Sequence, residues 1–371
     1  SVITKPLNNR APCHYCGQCN RGCMTNSNFS SPNVLLFPAQ RTNRLRIVTN
    51  AMAREVTVNA QGLATGVSYI NTATGRDEHV RARVVVLAAS ACESSRILLY
   101  SKSPQFPQGL ANSSGVVGKY LTDTTGTDVG GFIPKLVDHV PHNCDGVGGG
   151  HIYMPWWLDN KKLDFPRGYH IELGGGRSMP QSGFGGNIQR FSGMHESREI
   201  GGYGASLKNE YRRFYGATIN LSGRGEMIPN ADSWCEIDPN TTDKYGIPVL
   251  RFHFKWSDAE IKQAKHMQET FRAIITEMGG TPMGNMPGEN QLYGLANGGR
   301  IIHEIGTTRM GNNPSTSVLN KNGQAHDVKN VFVTDGGPFV SQADKNATWT
   351  ILALAMRTST FIADERKKGG L

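Results

Sequence analysis

Between residues 53 and 70 apolar and polar positions alternate, and the alternation breaks at Gly62. This predicts two strands, Ala53–Val58 and Thr65–Ile70, with Leu45–Val48 as a strand before them and a further one near His79–Arg81 after the Asn71–Gly75 turn. The run Val84-Val85-Val86-Leu87-Ala88-Ala89 is continuously apolar and predicts a buried central strand. A helix is expected to start at Ser90-Ala91-Cys92-Glu93 and to end in Leu98-Leu99. Residues 124–256 carry short β-like runs and many glycines. Ser257-Asp258-Ala259-Glu260 is a capping box, and Ile261, Ala264, Phe271, Ile274, Ile275 and Met278 share one helical face before Gly279 ends the helix. A strand Asn330–Thr334 ends at Asp335, and a long apolar helix begins near Ala347. Strands followed by helices at both ends of the chain predict an α/β fold.

Composition narrows this picture. With 371 residues the chain can bury a large core in two domains, and 38% hydrophobic with 19% charged residues suits a globular enzyme. No apolar run approaches the roughly 20 residues of a membrane span. The chain opens Ser1-Val2-Ile3 with neither initiator Met nor signal peptide, so any targeting segment is expected outside these residues. The net charge is +9, but Lys and Arg are scattered and no basic helix is interleaved with aromatics. Nucleic-acid binding is therefore not expected, and an acidic electron-transfer partner or companion subunit is the better match. The segment Gly174–Gly204, rich in Gly, Ser and Arg, reads as a long mobile loop of the kind that forms lids or partner contacts. Tyr153, Trp156 and Trp157 suit either a sugar-stacking surface or core packing.

Of seven cysteines, Cys13, Cys16, Cys19 and Cys23 are spaced C-x2-C-x2-C-x3-C, while Cys92, Cys144 and Cys235 stand alone. One short loop with that spacing can wrap thiolates around an iron–sulfur cluster, although Met24 stands where ferredoxin-type runs place proline. Reduced structural thiols, partial disulfides or zinc are the other readings.

The chemistry concentrates in Gly299–Ile362. One segment reads Ile302-His303-Glu304-Ile305-Gly306-Thr307-Thr308-Arg309-Met310-Gly311; the other reads Val333-Thr334-Asp335-Gly336-Gly337-Pro338 and continues to Asn346-Ala347-Thr348-Trp349-Thr350-Ile351. The helix opening at Ala347 would aim free N–H groups and its positive end at an electron-rich group. His303 on its own would read as a core or surface histidine.

In this order and spacing, His-x-x-Gly-Thr-x-Arg-Met-Gly, Asn-Val-Phe-Val-Thr-Asp-Gly and Asn-x-x-x-Thr-Ile resemble the C-terminal signature of the glucose–methanol–choline (GMC) flavin oxidoreductases. Weaker matches extend the resemblance over most of the chain. It implies FAD as cofactor, His303 as catalytic base and Asn346 as the second catalytic residue. It also implies cofactor contacts at Val56 (adenine side), Ala89, Ser90, Asp335, Gly336, Asn346, Ala347 and Thr348. Ser90 stands where the family more often has glycine. Asp238–Val249 resembles the family's substrate-domain hairpin, and a Cys-rich insert at Cys13, Cys16, Cys19 and Cys23 resembles dehydrogenases that pass electrons onward through a cluster.

No Gly-x-Gly-x-x-Gly follows a strand: Gly146–Gly150, Gly183–Gly186 and Gly223–Gly225 fail the spacing or the context. In the family that motif lies in an N-terminal βαβ unit, with an acidic residue roughly twenty positions on. The chain is therefore expected to be the C-terminal two-thirds of a family member, lacking that unit. The missing FAD-binding portion would precede it or form a separate chain, and the chain alone would not hold a complete FAD. The expected organisation is a partial FAD-binding domain at residues 1–120 and 296–371 (Cys-rich segment 13–23), interrupted by an antiparallel substrate domain at 121–295. The expected reaction is oxidation of a sugar or glycoside hydroxyl, with electrons leaving to an external acceptor or to oxygen. A companion small subunit or electron-acceptor protein fits the cluster. A non-catalytic electron-transfer or scaffold subunit is the alternative of another class.

Overall fold

The computed structural model describes residues 2–15, 22–139, 152–155, 161–175, 204–214 and 216–371. Its strands are β1 (Ala51–Val58), β2 (Ala64–Asn71), β3 (Arg76–Arg81), β4 (Val85–Leu87), β5 (Lys119–Thr122), β6 (Asp128–Phe132) and β7 (Ile152–Pro155). They continue with β8 (Tyr169–Gly175), β9 (Thr218–Gly225), β10 (Trp234–Thr242), β11 (Pro248–His253), β12 (Thr281–Pro282), β13 (Ile305–Thr307) and β14 (Val331–Val333). The longer helices are Ala91–Tyr100, Gly204–Phe214, Asp258–Glu277 and Thr348–Lys368. The chain divides into two compact units.

One unit comprises Val48–Thr125, Gly225–Glu260 and Ala296–Leu371, and it carries both signature segments. Strands β1, β2 and β3 form an antiparallel meander, and Gly62 takes the positive φ of 76° that its turn requires. Strands β4 and β14 pair in parallel, Val331 against Val85 through Val333 against Leu87. Strands β11, β10, β5 and β13 form another sheet in that order. The core gathers Val56, Val85, Leu87, Ile97, Leu98, Leu319, Val331 and Val333. Three details depart from the sequence expectation. Leu45–Val48 forms no strand. The strand at Val84–Ala89 shortens to Val85–Leu87. It is also buried on one face alone: Val85 and Leu87 are 5% exposed and Val86 45%, because side chains of a strand alternate and only one side of this pair carries packed core.

The other unit comprises Ser1–Ile47, Gly126–Arg224 and Ile261–Leu295. Strands β12, β6, β9, β8 and β7 form its sheet, packed around Ile171, Leu221, Met267, Phe271 and Ile275, with Tyr169 buried among them. On the Asp258–Glu277 helix Ala264, Phe271 and Ile275 are buried, as the helical face requires, but Met278 is 38% exposed and Met267 takes the inner position instead. At the head of that helix, in residues of the first unit, Glu260 accepts hydrogen bonds from the Ser257 N–H (2.7 Å) and Oγ–H (2.5 Å), the reciprocal half of the capping box. The expected loop falls for residues 176–203 outside the described residues, as do Trp156 and Trp157.

Candidate active site

The antiparallel register of β5 and β13 places the site. Ile305 pairs with Thr122, so carrying the pairing two residues further sets His303 across from Thr124. Thr124 Oγ1 lies 3.2 Å from His303 Nδ1. The preceding residue, Asp123, is fully buried and gathers the chain around the histidine. Its Oδ1 accepts the N–H groups of Thr124 (2.8 Å) and His303 (3.2 Å), and its Oδ2 accepts that of Gly299 (2.9 Å). Burial pushes the Asp123 carboxyl above the ordinary aspartate range, those three donors pulling the other way. Glu304 is raised as well, chiefly by burial, with the charge of Asp123 adding to it.

The two signature segments lie side by side. Gly306 and Thr308 donate their N–H groups to the carbonyls of Gly336 (3.0 Å) and Gly337 (3.2 Å), and Met310 donates to that of Pro338 (2.9 Å). Thr307 Oγ1 donates to the carbonyl of Ala91 (2.7 Å), which ties the histidine segment to the first residue of the Ala91–Tyr100 helix. The carboxyl ends of β4 and β14 meet where the Thr334 N–H donates to the Leu87 carbonyl (2.9 Å). Beyond that point one strand continues into Ala88-Ala89-Ser90, whose residues are exposed, and the other into Asp335-Gly336-Gly337, which are buried. Ser94 links the two turns: its Oγ accepts the Ala89 N–H (3.1 Å) and donates to Asp335 Oδ2 (2.5 Å). Asp335 Oδ1 accepts the Gly337 N–H (2.7 Å), and burial raises the Asp335 carboxyl.

The sequence-predicted residues therefore separate into three groups. His303, Ala89, Ser90, Asp335 and Gly336 share one hydrogen-bonded frame. Ser90 caps the Ala91–Tyr100 helix, accepting the Glu93 N–H, from a positive φ of 88°. Asn346, Ala347 and Thr348 form the mouth of the Thr348–Lys368 helix, where Asn346 and Thr348 are exposed and no side chain caps the first turn. Four residues before Asn346, Gln342 donates its Nε2 to Thr124 Oγ1 (3.0 Å). Val56 lies at the opposite end of the Ala91–Tyr100 helix, 4% exposed, its N–H donated to the Ser101 hydroxyl (2.8 Å). Asp123, Thr124, Gln342 and Ser94 were not foreseen. The polar run Thr122-Asp123-Thr124-Thr125 was the available signal, and it becomes informative only once the β5–β13 register is known.

The Cys-rich segment belongs to the unit that begins at Ser1. Cys16 and Cys19 lie outside the described residues, and among the described residues no group of side chains could hold a metal ion. The iron–sulfur expectation at Cys13, Cys16, Cys19 and Cys23 thus gains no support. The Cys23 sulfur instead meets the Asn28 N–H (3.4 Å), the Ser27 hydroxyl (3.2 Å) and the Thr25 hydroxyl (3.4 Å). These bonds to a thiolate lower its pKa to about 6, whereas burial pushes Cys235 up to about 12. Alkylation of Cys23 by iodoacetamide is expected to reach its plateau rate near neutral pH while Cys235 stays unmodified. Peptide mapping after a short pulse at successive pH values checks this, and a Cys23 rate still climbing above pH 8 would contradict it.

Asp123 gives a second expectation. Its folded-state pKa is raised, so between the ordinary aspartate value and that raised value the native state binds more protons than the unfolded chain. Stability therefore falls as pH rises through that window. Asp123→Asn should flatten this slope. It should also lower stability by about 1–3 kcal/mol, because an amide can no longer accept at both ends and one of the three N–H donors is left unpaired. Urea midpoints of parent and variant across pH 4–7 measure both, and parallel curves would count against the assignment.

The carboxyl ends of the parallel pair β4–β14, one running into the Ala91–Tyr100 helix and the other into a turn bonded to the histidine segment, form the kind of corner at which open α/β sheets bind ligands. The N-terminal and C-terminal models of the GMC oxidoreductase family match residues 3–125 and 229–355, and the chain belongs to that family. It is 28% identical over 98% of its length to a 2-methyl-1,2-propanediol dehydrogenase from Mycolicibacterium austroafricanum and 24% identical over 99% to a fructose dehydrogenase large subunit from Gluconobacter japonicus. A gluconate 2-dehydrogenase flavoprotein from Pantoea cypripedii is 26% identical over 96%. The chain spans 62%, 62% and 57% of the lengths of these relatives. Among solved structures, a pyridoxine 4-oxidase from Mesorbium loti superposes with a TM-score of 0.58 at 15% identity, covering 91% of this chain and 62% of that one. A formate oxidase from Aspergillus oryzae gives 0.57 at 14%, covering 86% and 60%; both likenesses concern the fold.

The N-terminal match overturns one expectation. The chain is not confined to the C-terminal part of the family, because the N-terminal family domain is matched at residues 3–125. The Gly-x-Gly-x-x-Gly loop is one short piece of that domain, and the matched stretch contains β1 to β4 and the Ala91–Tyr100 helix.

The frame also fits a flavin on its own terms. Ala88–Ser90 offers exposed backbone at the strand end. A Cβ on Gly336 would meet Ile305 Cγ2 at 3.0 Å and the Glu304 carbonyl at 3.1 Å, so the Asp335–Gly337 turn closes tightly against the histidine segment only with glycine there. Each oxygen of Asp335 accepts one hydrogen bond inside the corner, which holds the turn together.

Proposed function

We propose that this chain catalyses FAD-dependent oxidation of an alcohol, a secondary hydroxyl of a sugar or glycoside going to the keto form, with the electrons passed to an external acceptor. The observation that carries the reading is His303 fixed through Thr124 and Asp123, on the segment whose Gly306 is bonded to the turn that follows β14. Bound FAD would accept the hydride from the alcohol carbon. His303 would take the hydroxyl proton as that hydride leaves, and Asn346 would hold the same oxygen through its amide. Ala89, Ser90, Gly336, Ala347 and Thr348 would line the cofactor, the open first turn of the Thr348–Lys368 helix placing positive potential beside it. Relatives named for fructose, gluconate and a diol support a polyol or sugar substrate, and the relative named as a large subunit supports a companion subunit or electron-acceptor protein. Val56 is assigned to the adenine side by resemblance alone.

The test is anaerobic bleaching of the flavin absorbance of the full chain loaded with FAD, across sugars, glycosides, sugar acids and small diols. Bleaching by a sugar or glycoside is the expected result. If every alcohol leaves the oxidised spectrum intact, the enzyme reading falls and the scaffold alternative takes its place. Re-oxidation in air, compared with re-oxidation by a dye, decides between an oxidase and a dehydrogenase.

A further inference from the structure

Gln342 is 2% exposed, yet only one end of its amide is engaged: Nε2 donates to Thr124 Oγ1, while Oε1 is buried without a partner. Thr124 is itself fully buried, and its hydroxyl stands between that amide and His303 Nδ1. Such a hydroxyl has one proton to give, and a neutral imidazole carries one proton on one of its two nitrogens. The three groups therefore cannot choose their hydrogens independently.

With the Gln342 nitrogen towards Thr124, as in the structure, the amide N–H fills one hydroxyl lone pair and the hydroxyl proton turns to His303 Nδ1. The imidazole proton then sits on Nε2, and that nitrogen cannot take a proton from an alcohol. With the amide turned about its last torsion, a broad two-fold rotor, Oε1 receives the hydroxyl proton. Thr124 then accepts Nδ1–H, and His303 Nε2 presents its lone pair. The carboxyl of Asp123 is bonded to the backbone N–H of His303 and does not enter this chain of bonds.

We propose that Gln342 is a positioning residue which, through Thr124, sets the ring nitrogen of His303 that carries the proton, and that the competent arrangement has Oε1 facing Thr124. The proposal rests on the reading of His303 as the base, but its central test does not. The full chain is labelled with 15N-histidine, and the His303 ring signals are assigned by their loss in His303→Gln. In Gln342→Glu the side chain only accepts when ionised, so Nδ1 is expected to be the protonated nitrogen. In Gln342→Met the Thr124 hydroxyl is free to donate to Nδ1, so Nε2 is expected to be protonated. Thr124→Val should abolish the difference between the two Gln342 variants, and Thr124→Ser should preserve it. Flavin reduction should be roughly tenfold slower in Gln342→Met than in Gln342→Glu, the worth of about one neutral hydrogen bond. One and the same tautomer in both Gln342 variants overturns the proposal. If the tautomers move as stated while His303→Ala still reduces flavin at the parent rate, the relay stands and the base assignment falls.

Discussion

Replacing His303 by alanine is expected to slow flavin reduction at saturating substrate by about a hundredfold or more, on the scale of a lost general base, while the flavin remains bound. Hydride leaves a carbinol carbon readily only as the hydroxyl proton departs, so a site without a base must wait for water to take it. Histidine suits the task because its ordinary pKa lies close to neutrality. Here it is half-buried, anchored at its backbone by Asp123 and at its ring by Thr124, which fixes where the second nitrogen points. The variant should leave the frame standing, because the backbone bond from residue 303 to Asp123 and the β5–β13 pairing do not need the imidazole. Asn346→Ala should cost less, since the amide only holds the hydroxyl, and should raise the apparent substrate constant as well. Stopped-flow bleaching of the flavin separates the two. A His303→Ala protein that bleaches as fast as its parent would remove His303 from the role of base.

What could be read from the sequence was local. Strand–turn–helix at Val85–Tyr100 and strand–corner–helix at Val331–Lys368 are written in consecutive residues, and the structure has them within a few positions. His303 and Asn346 were legible through a motif rather than through physics. What escaped was pairwise. Asp123 and Thr124 become site residues because β5 runs antiparallel to β13 in one register, and a slip of one residue would turn Thr124 away from His303. Gln342 sits in a loop with no periodicity and matters only through a residue far from it in sequence. The inner face of the Asp258–Glu277 helix was misjudged in the same way: Met267 and Met278 are equally apolar, and only the neighbouring strands decide which is covered. Residues 1–120 were legible as cofactor domain, but the missing glycine loop alone does not decide how much of the family's N-terminal domain they hold.

The same dependence on register makes Gly306 a position where one added methyl group should damage the fold around the site. Its φ is +89°, a conformation that costs an L-residue roughly 1–2 kcal/mol. A Cβ built there would also run into the backbone carbonyl of Tyr120 on the paired strand, an atom that cannot swing aside as a flexible side chain could. Displacing packed structure typically costs a further 1–3 kcal/mol. Gly306→Ala should therefore lose roughly 2–5 kcal/mol, a large part of the 5–15 kcal/mol that usually holds a protein folded. If the strands part to make room, His303 moves away from Thr124, and flavin reduction should fall even in molecules that remain folded. Gly75→Ala is the control: that residue has a similar φ of +71° but nothing within 4 Å of the added carbon, so it bears the conformational cost alone. Urea midpoints of the two variants isolate the collision with Tyr120. Equal shifts would mean that β13 is not held against β5 at Gly306, and the register that places Thr124 opposite His303 would lose its support.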